Sequence, residues 1–249
     1  PALARAGWLV ESRIAPKINR SRQYVAVSEM TRNELIELVV GADRLRVIHN
    51  GTLPARFSGA ARAVDPTLVV LGRLVPHKRV EHAVDVVAAL RHRHPNLRLR
   101  ILGQGWWHEA IAAHARRIGV SDRVDLLGFV DEDVKALELD RAWVALAPSL
   151  KEGWGLSVVE AASHGVPTVA YHGAGGLSES IIDGVSGLLV GSKDDLITSV
   201  DSLLRDSNRL AELSTKAREH SLRYTWEACV QDWEQTLLET SARGVVRTS

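Results

Sequence analysis

From Thr67 onward, short apolar segments alternate with segments of helical periodicity, and this alternation constrains the fold more than any other feature of the sequence. Apolar runs of strand length that are separated by helices are typical of a parallel sheet covered on both faces. Because the crossovers between parallel strands are right-handed, the pattern predicts a doubly wound α/β domain. The predicted strands are residues 68–71, 97–102, 123–127, 143–147, 167–170 and 187–190.

The segments between these strands carry apolar residues at a spacing of about 3.6 residues, as amphipathic helices do. The pattern is clearest in residues 80–92 and 105–118. No strand is predicted after Val190. Instead, we predict flanking C-terminal helices over residues 193–206, 208–221 and 226–240.

Upstream of the main domain, two more short strands are predicted at residues 24–27 and 45–48. They flank a helix predicted for residues 29–40, with Ser28 as its N-cap. A segment rich in Gly, Pro and Ser then leads to the first strand of the main domain. We therefore predict four parts: residues 1–50 as the remnant of a preceding α/β domain, 51–66 as an interdomain linker, 67–222 as the ligand-binding domain and 223–249 as a C-terminal helix.

Composition excludes several classes of protein. The formal net charge of +1 argues against a large nucleic-acid interface, which normally needs a strongly basic face. The single cysteine, Cys229, excludes an internal disulfide and a cysteine-rich zinc site, as is usual in a reducing cytoplasm. The sequence contains no signal peptide and no apolar run of about 18 residues. We therefore expect no transmembrane segment, and we expect a cytoplasmic location.

The first 22 residues are basic, and two interpretations of them stay open. Their positive charges could contact anionic lipid at the inner membrane surface, as a peripheral helix does, although an ordinary solvated surface is the favoured interpretation. The chain also begins at Pro1 without an initiator Met, so we expect a fragment of a longer protein. The charged residues in question are Arg5, Arg13, Lys17, Arg20 and Arg22, against Glu11.

The most informative segment is KEGWGLSVVEAASHG, residues 151–165, directly after a predicted strand. It places Glu152 in a glycine-rich loop and Glu160 on the helix that follows, at the carboxyl end of a parallel strand, where such sheets bind ligands. Gly153 and Gly155 allow close approach of the backbone to a ligand. The N–H groups of residues 156–158 open the helix, so we predict a site for an anion such as phosphate.

A second segment, LGRLVPHKR, follows the first predicted strand of the domain. It places Gly72, Arg73 and Lys78 at the same edge of the sheet as the glutamates. Taken alone, two basic residues after a strand are usually solvated surface. Together with Glu152 and Glu160, they predict a site with fixed positive charge beside carboxylates.

Both segments resemble the retaining glycosyltransferases of family 4, which have the two-domain GT-B fold and the pattern Glu-x-Phe-Gly-x-x-x-x-Glu. Trp154 stands where Phe is usual, and we expect its structural role to be kept. The resemblance implies that Arg73 and Lys78 neutralise the diphosphate of a nucleotide-sugar donor. It also implies that Glu152 contacts hydroxyl groups of the donor sugar and that Glu160 hydrogen-bonds the ribose.

Three weaker matches extend this resemblance over most of the chain: LGQG at residues 102–105, LGFV at 127–130 and the segment of residues 171–190. In the second of these, the resemblance implies a backbone contact around Val130 with the base. The expected catalytic residues are Arg73, Lys78 and Glu152. The expected donor-binding residues are Gly72, Val130, Gly153, Trp154, Gly155, Leu156 and Glu160.

The resemblance implies transfer of a sugar from a UDP- or GDP-linked donor to an acceptor, with retention at the anomeric carbon and without a metal or other cofactor. Residues 1–50 would then belong to an N-terminal acceptor domain, and residues 223–249 would cross back toward it. The acceptor is not identified, and the isolated chain is expected to bind nucleotide but to turn over poorly. Two alternatives stay open: a nucleotide-sugar-binding module without transfer activity, and a GT-B-fold epimerase or phosphorylase.

Other patterns receive simpler interpretations. Residues 131–133 imitate an Asp-x-Asp metal motif, but acids at this position are better explained as the start of a helix. His108 and His114 are six residues apart, so they face different sides of a helix and do not form a zinc motif. Trp106 and Trp107 are interpreted as a packing or partner surface.

Overall fold

The computed structural model describes residues 2–19, 22–38 and 41–246. It divides into two compact units. The small unit consists of residues 1–51 and 224–249, and the main unit of residues 52–223. The four-part division stays a prediction, although its boundaries near residues 51 and 223 lie close to those of the two units.

The described strands are β1 (Tyr24–Ala26), β2 (Leu45–Val47), β3 (Thr67–Leu71), β4 (Arg98–Leu102), β5 (Val124–Gly128), β6 (Val144–Ala147), β7 (Thr168–Tyr171) and β8 (Gly187–Val190). The described α-helices are α1 (Ala2–Leu9), α2 (Ala15–Asn19), α3 (Glu29–Glu37), α4 (Val80–Leu90), α5 (His108–Arg117), α6 (Glu132–Arg141), α7 (Leu156–Ser163), α8 (Leu177–Ser180), α9 (Lys193–Arg205), α10 (Ser207–Ser221) and α11 (Trp226–Val246). A π-helical turn, Val10–Ile14, lies between α1 and α2.

The main unit contains a six-stranded sheet in the order β5-β4-β3-β6-β7-β8, with every neighbouring pair parallel. The predicted doubly wound α/β fold is therefore confirmed. Each of the six predicted strands is present, with bounds within one residue of the prediction. The strand order reverses between β3 and β6, because the chain runs outward from β3 through β4 to β5 and then returns to the other side of β3.

The core lies on both faces of the sheet, as strands buried on two sides require. In β3, Leu68 packs with Val84 and Val87 of α4 in the larger apolar cluster. The next residue, Val69, packs on the opposite face with Leu139 of α6. Full burial of one such side chain stabilises the fold by roughly 1.5–3 kcal/mol, which explains why uninterrupted apolar runs mark these strands.

Helix starts in the main unit follow the expected capping chemistry. The carboxylate of Asp131 accepts a hydrogen bond of 2.8 Å from the N–H of Val134, so the acids at residues 131–133 open a helix as predicted. Ser192 caps α9 in the same way by accepting from the N–H of Asp195. Both side chains satisfy N–H groups that a helix leaves without an internal partner.

A buried carboxylate, Asp201 of α9, holds two elements of the main unit together. It accepts hydrogen bonds of 2.6 Å from Arg93 and 2.9 Å from His94, which follow α4. Burial alone raises the pKa of Asp201, but these hydrogen bonds outweigh burial and hold that pKa below its usual value.

The segment predicted as a linker packs on the main unit over part of its length. The indole N–H of Trp143 donates to the carbonyl oxygen of Ala63 at 2.8 Å. The N–H of Ala63 donates in turn to the carbonyl oxygen of Arg141 at 3.0 Å. Ser58 adds a hydrogen bond of 2.7 Å to the carboxylate of Asp140.

In the small unit, β1 and β2 form a parallel pair. The hydroxyl of Ser28 accepts from the N–H of Thr31 at 3.1 Å and caps α3, as predicted. That helix ends at Glu37, and its predicted end at Val40 lies outside the described residues, as does Arg20 of the basic segment. None of the helices in the described part of the chain combines the length and the apolar character needed to cross a membrane.

Candidate functional site

The candidate site lies at the carboxyl ends of β3 and β6, the neighbouring strands between which the strand order reverses. In open α/β sheets, this is where a crevice forms and where ligands bind. Gly72 and Arg73 follow β3, and the loop of residues 148–155 follows β6. The topology therefore brings the two predicted motifs to one edge of the sheet, although Lys78 and Glu152 are 74 positions apart in the sequence.

Gly72 and its neighbour Gly103 let two chain segments approach closely at this edge. Both have positive φ, +144° and +139°. A Cβ atom built on Gly103 would lie 1.8 Å from the carbonyl oxygen of Gly72. The N–H of Gly72 donates to the carbonyl oxygen of Leu102 at 2.9 Å. This packing fixes the backbone that carries Arg73.

Lys78, Ser149 and Glu152 form the polar centre of the site. The ammonium of Lys78 makes a short hydrogen bond with Oε1 of Glu152. The hydroxyl of Ser149 donates to the same oxygen at 2.6 Å. The side chains of Lys78 and Glu152 are only 17% and 15% exposed, so their mutual attraction is weakly screened by solvent. Two donors thus hold one carboxylate oxygen in place.

Arg73 lies in the wall of the same cleft as Lys78 and Glu152. Its side chain is exposed, and within the described residues it forms no ion pair. The structure therefore brings together three of the four charged residues that the sequence singled out, with one carboxylate against two cations.

The loop after Glu152 is fixed by backbone contacts. Glu152 donates its N–H to the carbonyl oxygen of Ala174 at 3.0 Å and accepts from the N–H of Gly176 at 2.9 Å. Gly153 is exposed, whereas Trp154 is buried, 3% exposed, and packs inward. Both polar main-chain groups of Glu152 are therefore used to position its side chain.

Gly155 precedes α7 with φ +103°. A Cβ atom at this position would lie 2.6 Å from Cδ2 of Leu177, so a larger residue would have to displace that side chain and adopt a φ that residues with a Cβ atom rarely adopt. Leu156, the first residue of α7, is 42% exposed. The prediction of three free N–H groups at residues 156–158 is wrong in one respect, because the N–H of Val158 donates to the carbonyl oxygen of Gly155 at 2.9 Å. The start of this helix closes as a tight turn, which uses that donor internally.

Glu160 does not line the cleft that contains the other three charged residues. Its carboxylate accepts a hydrogen bond of 2.9 Å from Lys135 of α6, which also pairs with Glu132 at 2.8 Å. Burial lowers the pKa of Lys135, but the hydrogen bonds to the two glutamates outweigh it and raise that pKa. Glu160 thus stands beside a cation of the neighbouring helix.

Val130 is half-buried and packs against the apolar cluster that contains Val69 and Leu102. Its neighbour Phe129 is 77% exposed. The structure therefore gives Val130 a packing role through its side chain, which leaves its backbone as the group available for a ligand.

Sequence reasoning missed Ser149. This residue is 2% exposed and shares the Glu152 oxygen with Lys78. Its position three residues before Glu152, at the end of a strand that leads into the site, is a signal that could have identified it.

The two histidines of the apparent zinc pattern are engaged separately. His114 lies 2.6 Å from the carboxylate of Asp85, and His108 lies 3.2 Å from that of Glu109. Among the described residues, no group of three or more His, Cys, Asp or Glu side chains is arranged to hold a metal ion. Of the adjacent tryptophans, Trp107 packs against the core and Trp106 is 73% exposed.

Sequence and structure comparisons identify proteins that are similar to this chain. An exopolysaccharide phosphotransferase of Streptomyces coelicolor is 34% identical over 223 residues, which cover 88% of this chain and 23% of that protein. A glycogen synthase of Mycobacterium tuberculosis is 32% identical over 246 residues, which cover 96% of this chain and 57% of that protein. The chain thus spans between about a quarter and about three-fifths of the length of these relatives.

Among solved structures, the Anabaena protein HepE in complex with UDP and glucose has a TM-score of 0.79 and 21% sequence identity, covering 91% of this chain and 66% of that one. This likeness shows a shared fold of the GT-B glycosyltransferase type. The sequence model of the family described as "Glycosyl transferases group 1" matches residues 54–220, which are more than half of the chain. The chain therefore belongs to the glycosyl transferases group 1 family.

Proposed function

We propose that this chain is the donor-binding part of a retaining glycosyltransferase of family 4, which moves a sugar from a UDP- or GDP-linked donor to an acceptor. The observation that carries the proposal is the cluster of Lys78, Ser149 and Glu152, with Arg73 in the same cleft, at the point where the strand order reverses. The relatives' names and the UDP and glucose bound to the Anabaena protein support the same class of ligand.

The two cations suit a departing nucleoside diphosphate. Negative charge grows on the diphosphate oxygens as the sugar leaves, and fixed positive charge near them lowers the barrier. Arg73 has a planar guanidinium that bonds two phosphate oxygens at once, whereas Lys78 supplies a compact charge at the inner end of the cleft. In this proposal the two side chains supply the charge that a metal ion provides elsewhere, so no metal or other cofactor is required.

Glu152 is proposed to orient the donor sugar. Its Oε1 is engaged by Lys78 and Ser149, whereas Oε2 accepts no hydrogen bond from the residues that the structure describes. That oxygen is the one proposed to accept from sugar hydroxyl groups. Glu152 is not a nucleophile in this scheme, since retention is assigned to displacement on the front face of the sugar.

The remaining expected contacts are proposed for backbone and ribose. Gly72, Gly153, Gly155 and Leu156 allow the backbone to approach the donor, Trp154 supports that loop, and Val130 offers a backbone contact to the base. Glu160 is proposed to bind the ribose, at a carboxylate that also holds Lys135.

Proposed roles for the parts of this chain in the whole protein follow from the resemblance. Residues 67–222 are proposed as the donor domain, 51–66 as the linker, and 1–50 with 223–249 as elements of, or next to, an acceptor-binding domain. We place the activity in the cytoplasm, where the lone thiol of Cys229 stays reduced. Contact of residues 1–22 with the inner membrane surface is the alternative proposal for its location.

Donor binding tests the proposal directly. A ligand at a hundredfold its Kd adds about 2.7 kcal/mol to the free energy of unfolding, so a thermal-shift screen of UDP- and GDP-sugars is expected to show one clear stabiliser. Glu152→Gln and Lys78→Met are expected to remove that shift. Arg141→Gln, an exposed arginine outside the cleft, is the matched control and keeps it. A shift that survives both cleft variants would contradict the site.

Product analysis separates the alternatives. With an acceptor and the full-length protein, sugar transfer releases a nucleoside diphosphate, whereas transfer of a sugar phosphate releases a monophosphate. An epimerase converts the donor sugar without releasing nucleotide, and a phosphorylase forms a sugar 1-phosphate from inorganic phosphate. Donor binding without any of these products in the full-length protein would support the binding module instead.

A further inference from the structure

A second cavity is lined, like the donor cleft, by part of the loop of residues 148–152. It is formed at the carboxyl ends of β6, β7 and β8 and has a volume of about 260 Å³. Ser149 lines both spaces, so they are close neighbours. Pockets for drug-sized organic ligands measure roughly 300–1,000 Å³, and this cavity therefore suits a smaller ligand.

The wall of this cavity is cationic. Four of its lining side chains are basic, and none of the described residues that line it is an Asp or a Glu. The four basic residues are Arg79, His82, His172 and Lys193. The hydroxyl groups of Tyr171 and Ser192 add neutral hydrogen-bonding groups to the same wall. Such a surface offers donors and positive charge to an anion from several directions.

The nearby carboxylates have partners of their own. Asp85 accepts from Lys193 at 2.9 Å and lies 2.6 Å from His114. Asp195, in the first turn of α9, accepts from the hydroxyl of Ser192 at 2.7 Å. The charge of Lys193 is therefore partly balanced, and the surplus positive charge belongs mainly to Arg79.

Of the lining Arg and Lys residues, Lys193 pairs with Asp85, whereas Arg79 has no carboxylate partner among the described residues. Within the described part of the chain, its guanidinium makes no ion pair and no hydrogen bond. It is also the one described residue other than glycine with positive φ, at +48°. This conformation is unfavourable for a residue with a Cβ atom, and such strain tends to persist where function requires it.

His82 contributes as a neutral side chain. Burial, together with the charge of Lys193, lowers its pKa, and its Nδ1 lies 2.7 Å from the hydroxyl of Tyr171. Arg79 and Lys193 thus supply fixed positive charge, whereas His82 and Tyr171 supply hydrogen-bonding groups.

We infer that this cavity binds a phosphate group, either as inorganic phosphate or on a small phosphorylated molecule, with Arg79 as its principal ligand. A guanidinium bonds two oxygens of one anion at once, and a phosphate group presents enough acceptor oxygens to use the surrounding donors as well. The inference does not depend on the proposed function, since it uses neither Arg73 nor Lys78.

Isothermal titration calorimetry at constant ionic strength and pH 7.5 tests this site on the 249-residue chain, with inorganic phosphate, glycerol 3-phosphate and acetate as separate titrants. Phosphate binding is expected, and Arg79→Gln is expected to weaken it about tenfold or more, as loss of a charge-assisted contact does. Arg79→Gly is the second variant, because glycine adopts this φ without strain and so keeps the fold. It is expected to weaken phosphate binding to the same extent as Arg79→Gln.

Two controls separate this cavity from other cations. Arg141→Gln removes an equal charge from an exposed position on α6 and is expected to leave phosphate binding unchanged. Arg73→Gln removes a cation of the donor cleft and leaves this cavity intact, so any phosphate affinity that it lowers belongs to the donor cleft. If glycerol 3-phosphate binds more tightly than inorganic phosphate, the ligand is a phosphorylated molecule; the reverse order identifies the free ion.

Three results would overturn the inference. If Arg141→Gln lowers phosphate affinity as much as Arg79→Gln does, the attraction is non-specific. If Arg73→Gln lowers phosphate affinity and Arg79→Gln does not, the phosphate binds in the donor cleft. Acetate binding as tight as phosphate binding, or no binding of either phosphate compound, would reject a phosphate site.

Discussion

Ser149 offers a sharp test of how the site is organised. Its hydroxyl and the ammonium of Lys78 both donate to the same oxygen of the Glu152 carboxylate. Ser149→Ala removes one of the two anchors and leaves both charges in place. The carboxylate then gains freedom that donor binding must remove again.

The size of the effect follows from that lost order. Immobilising one side chain on binding costs about 0.5–1.5 kcal/mol, which corresponds to a two- to thirteen-fold weaker Kd for the donor at about 0.6 kcal/mol for RT. The loss is expected to be smaller than that of Glu152→Gln, which removes the acceptor charge itself. Calorimetric titration of the stabilising nucleotide sugar into each variant measures the difference.

Ser163→Ala is the matched control for this experiment. Ser163 also donates its hydroxyl locally, to the carbonyl oxygen of Glu160 at 2.7 Å, but to no carboxylate. Its removal is expected to leave donor affinity within about twofold. If Ser149→Ala keeps wild-type affinity while Glu152→Gln loses it, Glu152 is needed but its anchoring is not, and the reasoning about Ser149 is refuted.

Three further predictions concern the stability of the main unit. Gly103→Ala would drive a Cβ atom into the carbonyl oxygen of Gly72 and is expected to cost at least about 3 kcal/mol in chemical denaturation; a loss under 1 kcal/mol would show that this edge adapts freely. The contribution of Asp201, whose pKa is lowered in the folded state, is present above its unfolded pKa near 3.9 and lost as pH falls through the folded pKa. Asp201→Asn is thus expected to lower Tm at pH 7, and the difference in Tm between wild type and variant is expected to become smaller below about pH 4. A Tm difference that does not change with pH would contradict this prediction. For Lys135 and Glu160, a double-mutant cycle of Lys135→Met and Glu160→Gln is expected to give a coupling of about 0.5–1 kcal/mol, and additive effects would mean that the pair contributes nothing.

The sheet was predictable because every strand of the main unit carries its own local signal. Strands buried on both faces need uninterrupted apolar runs, and the run that contains Leu68 and Val69 places neighbouring residues on opposite faces of the sheet. Parallel order and right-handed crossovers then leave few topologies to choose from. Helix ends were less predictable, as at α5, which begins at His108 although its periodicity starts three residues earlier.

The site was predictable only in part, because its residues come together through tertiary structure. The approach of Lys78 to Glu152 follows from the edge that their strands share, which the topology supplies. The role of Ser149 and the left-handed conformation of Arg79 depend on exact backbone geometry, for which the sequence carries no periodic signal. Glu160 shows the limit of motif spacing: eight residues after Glu152, it is turned toward Lys135 of another helix.

Arg73 and Lys78, the two cations of the cleft that contains Glu152, differ in what they can do, although the sequence presents them alike. Lys78 is largely buried and paired with Glu152. At long range the opposite charges of the pair nearly cancel, so Lys78 acts mainly on a ligand group that already contacts it. Arg73 is exposed and has no ion pair among the described residues, so its field reaches into solvent. Exposed charges chiefly set the rate of encounter and its dependence on salt, whereas buried, hydrogen-bonded charges set the rate of escape. A diphosphate would therefore be attracted by Arg73 and retained by Lys78.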